Sequence, residues 1–510
     1  MTGYNVFENS SQNQEFTFIV NGKDGSAKDI KFEAVECIGS CNADVPDVNE
    51  NAELPYVGSL WSDPASWPSN QVPGPGDNVV IAADMWIQLD IPETQILGLL
   101  TIDGRLEFLD HVGPLNLRAK QVYVRAGELK IGSETHRFQD EAQITLYGDR
   151  SEEKDVMDGA VMTGSKQIVN TGIMEMFGME RHREGRLQIS VYNGSDIAYV
   201  EPGLAWMAGE EIYFAPTNHQ FMHSEYKTIV SYDDITGKLV VDTPFEHYHF
   251  GAEATHKDAY NGLDQRGEVR LLNRNIRISG DQESDGEWGC NILTTDRTEW
   301  NGVQRLGYAK FDNVEVAKCS QKDTYKAAIR FENTGHNSVK SSVKNSVVHD
   351  SEAWSLYISN SRDIQIESSD FIGSKQVGVN LRSITNCRIN EIFVADVSSR
   401  VNEAGDNFID KEACVAYCSF FEPNFCYGNT FTNSIAAGCV YSGFVAPGHT
   451  CGDDSSEIFS NNVAHSSERT GAHIYPNPAL DDSEICYEGS NFSAYKCREG
   501  GITTMYKTEQ

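Results

Sequence analysis

The stretch Ile364-Gln-Ile-Glu-Ser-Ser-Asp-Phe371 alternates apolar and polar residues, breaks at Ser-Ser-Asp and resumes with an apolar residue. Cys387-Arg-Ile-Asn-Glu-Ile-Phe-Val394 repeats the pattern, Phe311-Asp-Asn-Val-Glu-Val316 and Val343-Lys-Asn-Ser-Val-Val348 anticipate it, and Glu457-Ile-Phe-Ser-Asn-Asn-Val463 resembles them. Three successive intervals are about 20–30 residues, the length of one turn of a parallel β-helix. Alternation puts every second side chain inward, and Asn, Asp, Ser or Gly supplies the turns. One coil cannot bury its inner face alone, so neighbouring coils must stack. The pattern predicts an all-β chain wound as a right-handed parallel β-helix. The longer gap between Val394 and Asn429 reads as a projecting loop.

Working outward, residues from Leu60 onward hold short β runs punctuated by glycine: Asn78–Ile81, Met85–Leu89, Leu97–Ile102, Leu106–Phe108, Gln121–Val124, Glu128–Ile131 and Gln143–Leu146. Helical periodicity over a dozen residues is lacking, which leaves a sandwich, barrel or solenoid; the later repeats select the solenoid. Near the start, Phe16–Val20 and Ile30–Val35 flank a Gly/Asp turn and read as the tail of a β-sandwich-like module whose earlier strands are absent. The division is therefore 1–43 sandwich tail, 44–54 acidic linker, 55–178 first β-helical domain, 179–275 β-rich insertion or connector, 276–480 β-helix repeats with disulfide-bearing loops, and 481–510 a Cys-containing terminal segment.

The 510 residues carry 41 Lys and Arg against 75 Asp and Glu, a net charge of −34. That balance argues against nucleic acid as a partner, because such binding needs a basic footprint, and it repels anionic membranes and polymers. No apolar stretch reaches the length of a membrane-spanning helix, so no insertion by this segment is expected. The N-terminus has neither the basic nor the apolar region of a signal peptide. The twelve cysteines nevertheless suit an oxidising compartment, so the chain reads as secreted or cell-surface, with its leader missing. Disulfide candidates are Cys37 and Cys41, which bracket three residues, and Cys414, Cys418, Cys426, Cys439, Cys451, Cys486 and Cys497 near the end; bridges there would hold protrusions that lack a core. Asn9-Ser-Ser, Asn193-Gly-Ser and Asn491-Phe-Ser are glycosylation sequons.

Trp61-Ser-Asp-Pro-Ala-Ser-Trp67, Val72-Pro-Gly-Pro-Gly-Asp77, Leu97-Gly-Leu-Leu-Thr-Ile-Asp-Gly104, Val122-Tyr-Val124, Gly127, Ile131-Gly132 and Ile144-Thr-Leu-Tyr-Gly148 resemble, in that order, the eight-glycine (G-eight) extracellular domain. Trp206–Thr217, Thr243-Pro-Phe-Glu-His-Tyr-His-Phe-Gly251, Arg266–Ile276, Ser460–Ser466 and Gly471–Tyr475 continue the resemblance to the fibrocystin and fibrocystin-L family. The likeness covers roughly residues 55 to 480, and its specificity lies in the joint order of the motifs. It implies a β-helical G-eight domain followed by more β-helix on secreted or surface proteins. The related cell-migration-inducing and transmembrane hyaluronidases cleave hyaluronan, so the resemblance leaves activity open.

A glycosidase needs two carboxylates across a groove, and 75 acidic residues hide any such pair. The candidate residues are His249, within the family-like His247-Tyr-His-Phe-Gly251, and the couple His349-Asp350; His465 reads as a turn or stacking position. Neighbouring strand residues point to opposite faces, so His349 and Asp350 should not act together directly. Where the hyaluronidase-like members resemble Tyr-Pro-Ile-His-Phe-His, this chain has Lys326-Ala-Ala-Ile-Arg-Phe-Glu332; Arg330 and Glu332 replace imidazoles and cannot shuttle protons as histidine does. Arg330 can still clamp a carboxylate and Glu332 can still serve as an acid, so both stay candidates in the enzyme reading. The basic runs Arg181–Arg186 and Arg266–Arg277 read as solvated faces. Asp281–Asp285, Asp453-Asp454 and Asp481-Asp482 suit calcium chemically but lack the spacing of a calcium loop, so no metal or cofactor is assigned. Trp61 and Trp67 read as core. The resulting expectation is a non-catalytic structural or adhesion protein of fibrocystin-L type, assembling with other extracellular modules, copies of itself or glycans, and able to build a fibre or coat. The alternatives are a hyaluronidase-like polysaccharide-cleaving enzyme and a glycan-binding module without turnover.

Overall fold

A computed structural model describes residues 14–21, 27–34, 48–49, 52–152, 164–283, 285–299, 301–322, 324, 326–398, 413–418, 426–447, 449–450, 458–475, 485–486 and 489–504. Two compact units are present. In the first, strands Gln14–Asn21 and Ala27–Ala34 form an antiparallel hairpin in continuous register from Gln14 opposite Ala34 to Asn21 opposite Ala27. Asn9, Cys37, Cys41 and Cys451 lie outside the described residues.

The second unit is dominated by a three-faced parallel β-helix. One coil is built from Gln365–Glu367, Asp370–Ser374 and Val379–Thr385. The next, Arg388–Asn390, Phe393–Val397 and Ala413–Tyr417, pairs with it face by face in parallel, Gln365 to Arg388, Asp370 to Phe393 and Val379 to Val415. The first face alone runs through twelve strands, from Ser59–Leu60 to Gly489–Ser490. Period-two alternation produces the inner stack: Phe311, Val343, Ile366, Ile389, Phe431 and Phe459 occupy one register column and are all buried.

The corners explain the Asn-rich turns. Asn313, Asn345, Ser368, Glu391, Asn433, Asn461 and Asn491 sit at the same bend of successive coils, with φ between 46° and 58°. Left-handed backbone is tolerated best by Asn among residues with a side chain. From Asn313 to Asn461 each N–H along this column donates to the next coil, as from Asn313 to Lys344 O and from Asn461 to Ser490 O. A second bend is made of glycine: a Cβ on Gly127 would stand 2.0 Å from Gly104 O, and one on Gly172 would stand 2.5 Å from Gly127 O. Coils pack too closely there for any side chain.

Between Ile173–Phe177 and Ile276–Gly280 the chain leaves the solenoid. It forms a closed six-stranded barrel in the order Glu184–Ile189, Ile197–Val200, Lys238–Val241, Glu225–Tyr232, Glu211–Phe214, Glu268–Leu271. Leu187, Val200, Phe214, Ile229, Leu239, Phe245 and Val269 give it a core of its own.

Disulfides join Cys290 to Cys319, Cys414 to Cys439 and Cys418 to Cys426. Cys414 and Cys439 are strand residues buried inside the solenoid, so their bridge staples stacked coils from within instead of holding a protrusion. The Cys290–Cys319 bridge had no distinguishing signal in the sequence. Cys497 pairs with no other described cysteine, and Cys486 lies in the short strand Ile485–Cys486 opposite His449–Thr450.

Candidate functional site

On one face of the solenoid the outward side chains are not solvated. Val347, Ile372, Phe393, Ala395 and Ala437 pack against Tyr213, Ala215 and Leu272 of the barrel segment. The barrel is thus docked along several coils, and the polar residues between these contacts are buried with them.

His349 belongs to this covered face. Its Nε2 stands 3.2 Å from Oε1 of buried Glu315 on the preceding coil, and its Nδ1 stands 3.2 Å from Oδ2 of Asp350. The second contact corrects the expectation from strand alternation. Asp350 adopts φ 53°, and the ladder pairs His349 with Ile372 and Ser351 with Ser374, leaving Asp350 out. The left-handed step swings its carboxylate back onto the neighbouring ring. Burial alone would lower the imidazole pKa, but the two carboxylates outweigh it and raise it to about 9. An imidazole held as a cation between two carboxylates is an ion-pair linker, not a poised base.

The same face carries charges that the sequence reading placed in solvent. Arg183 Nη1 lies 2.6 Å from Oδ1 of fully buried Asp370; Arg270 pairs with Glu184 and lies 4.2 Å over the ring of Phe393. Arg186 Nη1 is 2.7 Å from Glu268 Oε1, and His465 Nε2 stands 3.4 Å from Glu268 Oε2, an ion-pair distance. The His465 ring stacks on Tyr495. The Arg270 charge above all, with that of Arg183, holds the half-exposed Glu184 carboxyl at about 2. Arg183 and Arg270 are therefore docking groups that reach from the barrel to Asp370 and Phe393 of the coils, whereas Arg181, Arg186 and Arg266 pair with carboxylates of the barrel segment itself. A crease of about 190 Å³ remains beside them, lined by Arg183, Glu184, Arg186, Arg270, Glu391 and Asn433 among others.

His249 lies elsewhere, sealed inside the barrel. Its Nδ1 is 3.0 Å from Ala215 O and its Nε2 is 3.1 Å from Glu225 Oε1. Glu225 also accepts from the N–H groups of Glu246 and His247 and pairs with Lys227 at 2.9 Å. Burial would raise that carboxyl, but these donors bring it down to about 2. The cluster clamps the strand ends to the His247–Gly251 segment.

Arg330 and Glu332 occupy the third face, on strand Ile329–Glu332. Two residues apart, they point the same way and pair with each other, Arg330 Nη2 lying 2.6 Å from Glu332 Oε1. His249, His349 with Asp350, and Arg330 with Glu332 thus occupy three separate places. Each is satisfied internally, and no groove gathers them. Asp281 and Asp285 likewise meet Lys166 and Arg150, whereas Asp453-Asp454 and Asp481-Asp482 lie outside the described residues. Trp61 and Trp67 are buried with rings edge to face, 4.9 Å apart. Glu315, Asp370, Glu268 and Asp396 were not distinguished by the sequence, since each reads as an ordinary outward carboxylate on a strand.

Residues 66–187 match the family model of the G8 domain. The chain is a fibrocystin-like G8-domain protein. It is 31% identical to human fibrocystin-L over 274 residues, which is 52% of this chain and 6% of that protein. Mouse fibrocystin-L is 32% identical over 248 residues, 48% of this chain and 6% of its own length. Communication mutant protein F of Dictyostelium discoideum is 21% identical over 430 residues, 79% of this chain and 36% of that protein. The G8-bearing chain therefore spans well under half the length of each of these relatives. Among solved structures, the tailspike protein gp49 from Pseudomonas phage LKA1 aligns over 78% of this chain and 54% of that one, with 9% identity and a TM-score of 0.21. Among the described residues no helix is long and apolar enough to cross a membrane. The fibrocystin likeness and the disulfides go with an extracellular or cell-surface family member.

Proposed function

We propose that this chain is a non-catalytic segment of an extracellular or cell-surface protein, serving adhesion or the architecture of a coat or fibre. The observation that carries the reading is the consumption of every candidate catalytic group by an internal partner. His349 sits between Glu315 and Asp350, His249 holds Glu225, and Arg330 holds Glu332. A general acid or base must reach a substrate proton, and each of these side chains is instead engaged by its own partner, His349 under the docked barrel, His249 inside the barrel and Arg330 with Glu332 on the third face. Stacked coils make a stiff element that presents long flat faces, which suits holding other modules, or copies of the chain, at a fixed spacing.

The test is incubation of the purified chain with hyaluronan and related glycans, followed by sizing on gels. Undiminished polymer length is the expected result. Shortening that is abolished by Arg330→Ala or His349→Ala would establish the hyaluronidase-like alternative instead. The crease of about 190 Å³, with its arginines, carboxylates and Asn433, supports glycan binding without turnover as a second reading. Retention of a glycan in the same incubation, with no shortening, is its signature.

A further inference from the structure

Resting on the extracellular reading, we infer that Asn193 carries an N-linked glycan whose first N-acetylglucosamine seats on the exposed Tyr192–Tyr248 ledge of the barrel. The ledge is a pair of exposed rings in contact with each other. Tyr192 is 67% exposed, Tyr248 is 37% exposed and Ile189 beside them is 57% exposed. The two rings lie 5.4 Å apart at 59°, and Tyr248 Oη is 3.0 Å from Ser190 Oγ. Solvent-facing rings fixed in a pair present apolar faces with polar rims, the surface on which a pyranose stacks.

The sequon sits where its sugar would meet that surface. Val191 and His249 exchange backbone hydrogen bonds, which makes Tyr192 and Tyr248 neighbours across the strands. Ser195 N–H donates to Tyr192 O, closing a turn over Tyr192-Asn193-Gly194-Ser195, and Gly194 takes φ 88°. Asn193 is exposed, and its Nδ2 donates to Glu246 O at 2.7 Å, two residues before Tyr248. Glycosylation at Nδ2 leaves one N–H, so that bond and the side-chain direction survive the modification. The first sugar then begins between the two tyrosines.

Asn491 is the built-in comparison. It lies in the left-handed corner column with Nδ2 bonded to Asn461 Oδ1, and the aromatic beside it, Phe492, is packed against the solenoid core. That packed ring leaves a glycan on Asn491 without the sequence-adjacent platform that Tyr192 gives Asn193.

The chain is to be secreted from a eukaryotic host, and occupancy at each sequon read by glycopeptide mass spectrometry. Amide hydrogen exchange is then followed in 189–196 and 245–251 with the glycan intact, trimmed to one N-acetylglucosamine, and removed. Exchange should stay slow after trimming and rise roughly twofold to tenfold after removal, the factor one ring contact confers. That rise should vanish in a Tyr192→Ser, Tyr248→Ser protein. An occupied Asn193 whose removal leaves exchange unchanged overturns the inference, as does a bare Asn193 beside a glycosylated Asn491. A chain that is retained in cells and carries no glycan at any sequon overturns the extracellular reading as well.

Discussion

His349 and Glu315 face each other across two coils with 3.2 Å between Nε2 and Oε1, and each side chain is only 1% exposed. The pair makes stability depend on pH. The histidine pKa is raised from its ordinary 6.5 to about 9 in the fold, so its contribution is full below 6.5 and disappears as pH rises through 9. Equilibrium unfolding in urea should show stability falling across that window by up to about 3 kcal/mol. His349→Gln should flatten the fall; an unchanged slope in that variant would exclude the assignment.

Docking of the barrel depends on Asp370, which is fully buried and meets Arg183 and Arg270. Asp370→Asn leaves Arg183 and Arg270 with Glu184 as their remaining carboxylate and should destabilise by about 1.5–3 kcal/mol, the worth of a hydrogen bond to a charged group. Lys340→Gln breaks a 3.7 Å pair with Asp363 whose side chains are 54% and 26% exposed, and should cost under about 1 kcal/mol. Denaturation midpoints compare the two directly; equal effects would mean that the interface charges do not hold the barrel.

Gly373, like Asp350 and Asp396, is the residue its strand leaves out of the ladder; it has φ 74°, and Tyr226 Oη is 2.7 Å from the place a Cβ would take. Tyr226 uses that hydroxyl to donate to Asp396 Oδ2 at 2.6 Å. Gly373→Ala should destabilise by about 1–2 kcal/mol from the backbone alone, with more from the collision. Tyr226→Phe removes the colliding oxygen, so the double variant should lose less than the sum of the single ones. Strict additivity in thermal unfolding would disprove the contact.

Non-reducing peptide maps should recover the pairs Cys290–Cys319, Cys414–Cys439 and Cys418–Cys426. Burial raises the Cys497 thiol, so alkylation at that position should be slow until denaturant is added. Replacing Cys414 and Cys439 together by alanine should cost about 2–4 kcal/mol. Recovery of a different pairing for Cys414 would refute this placement of the strands.

Much of the architecture was legible in residue order alone. Alternation around Ile366 and Ile389, with Asn345, Asn433 and Asn461 at the bends, dictates coils because inward slots, outward slots and left-handed corners are properties of a few consecutive residues. The chemistry of the outward slots was not legible in that way. Arg183, Arg270 and Asp370 look like solvated charges until a barrel inserted between two coils covers them, and Asp350 reaches His349 only through one left-handed step in the ladder. A coil follows from short-range patterning, whereas the burial and pairing of a charge depend on which distant segment comes to lie over it. That long-range packing belongs to the tertiary structure.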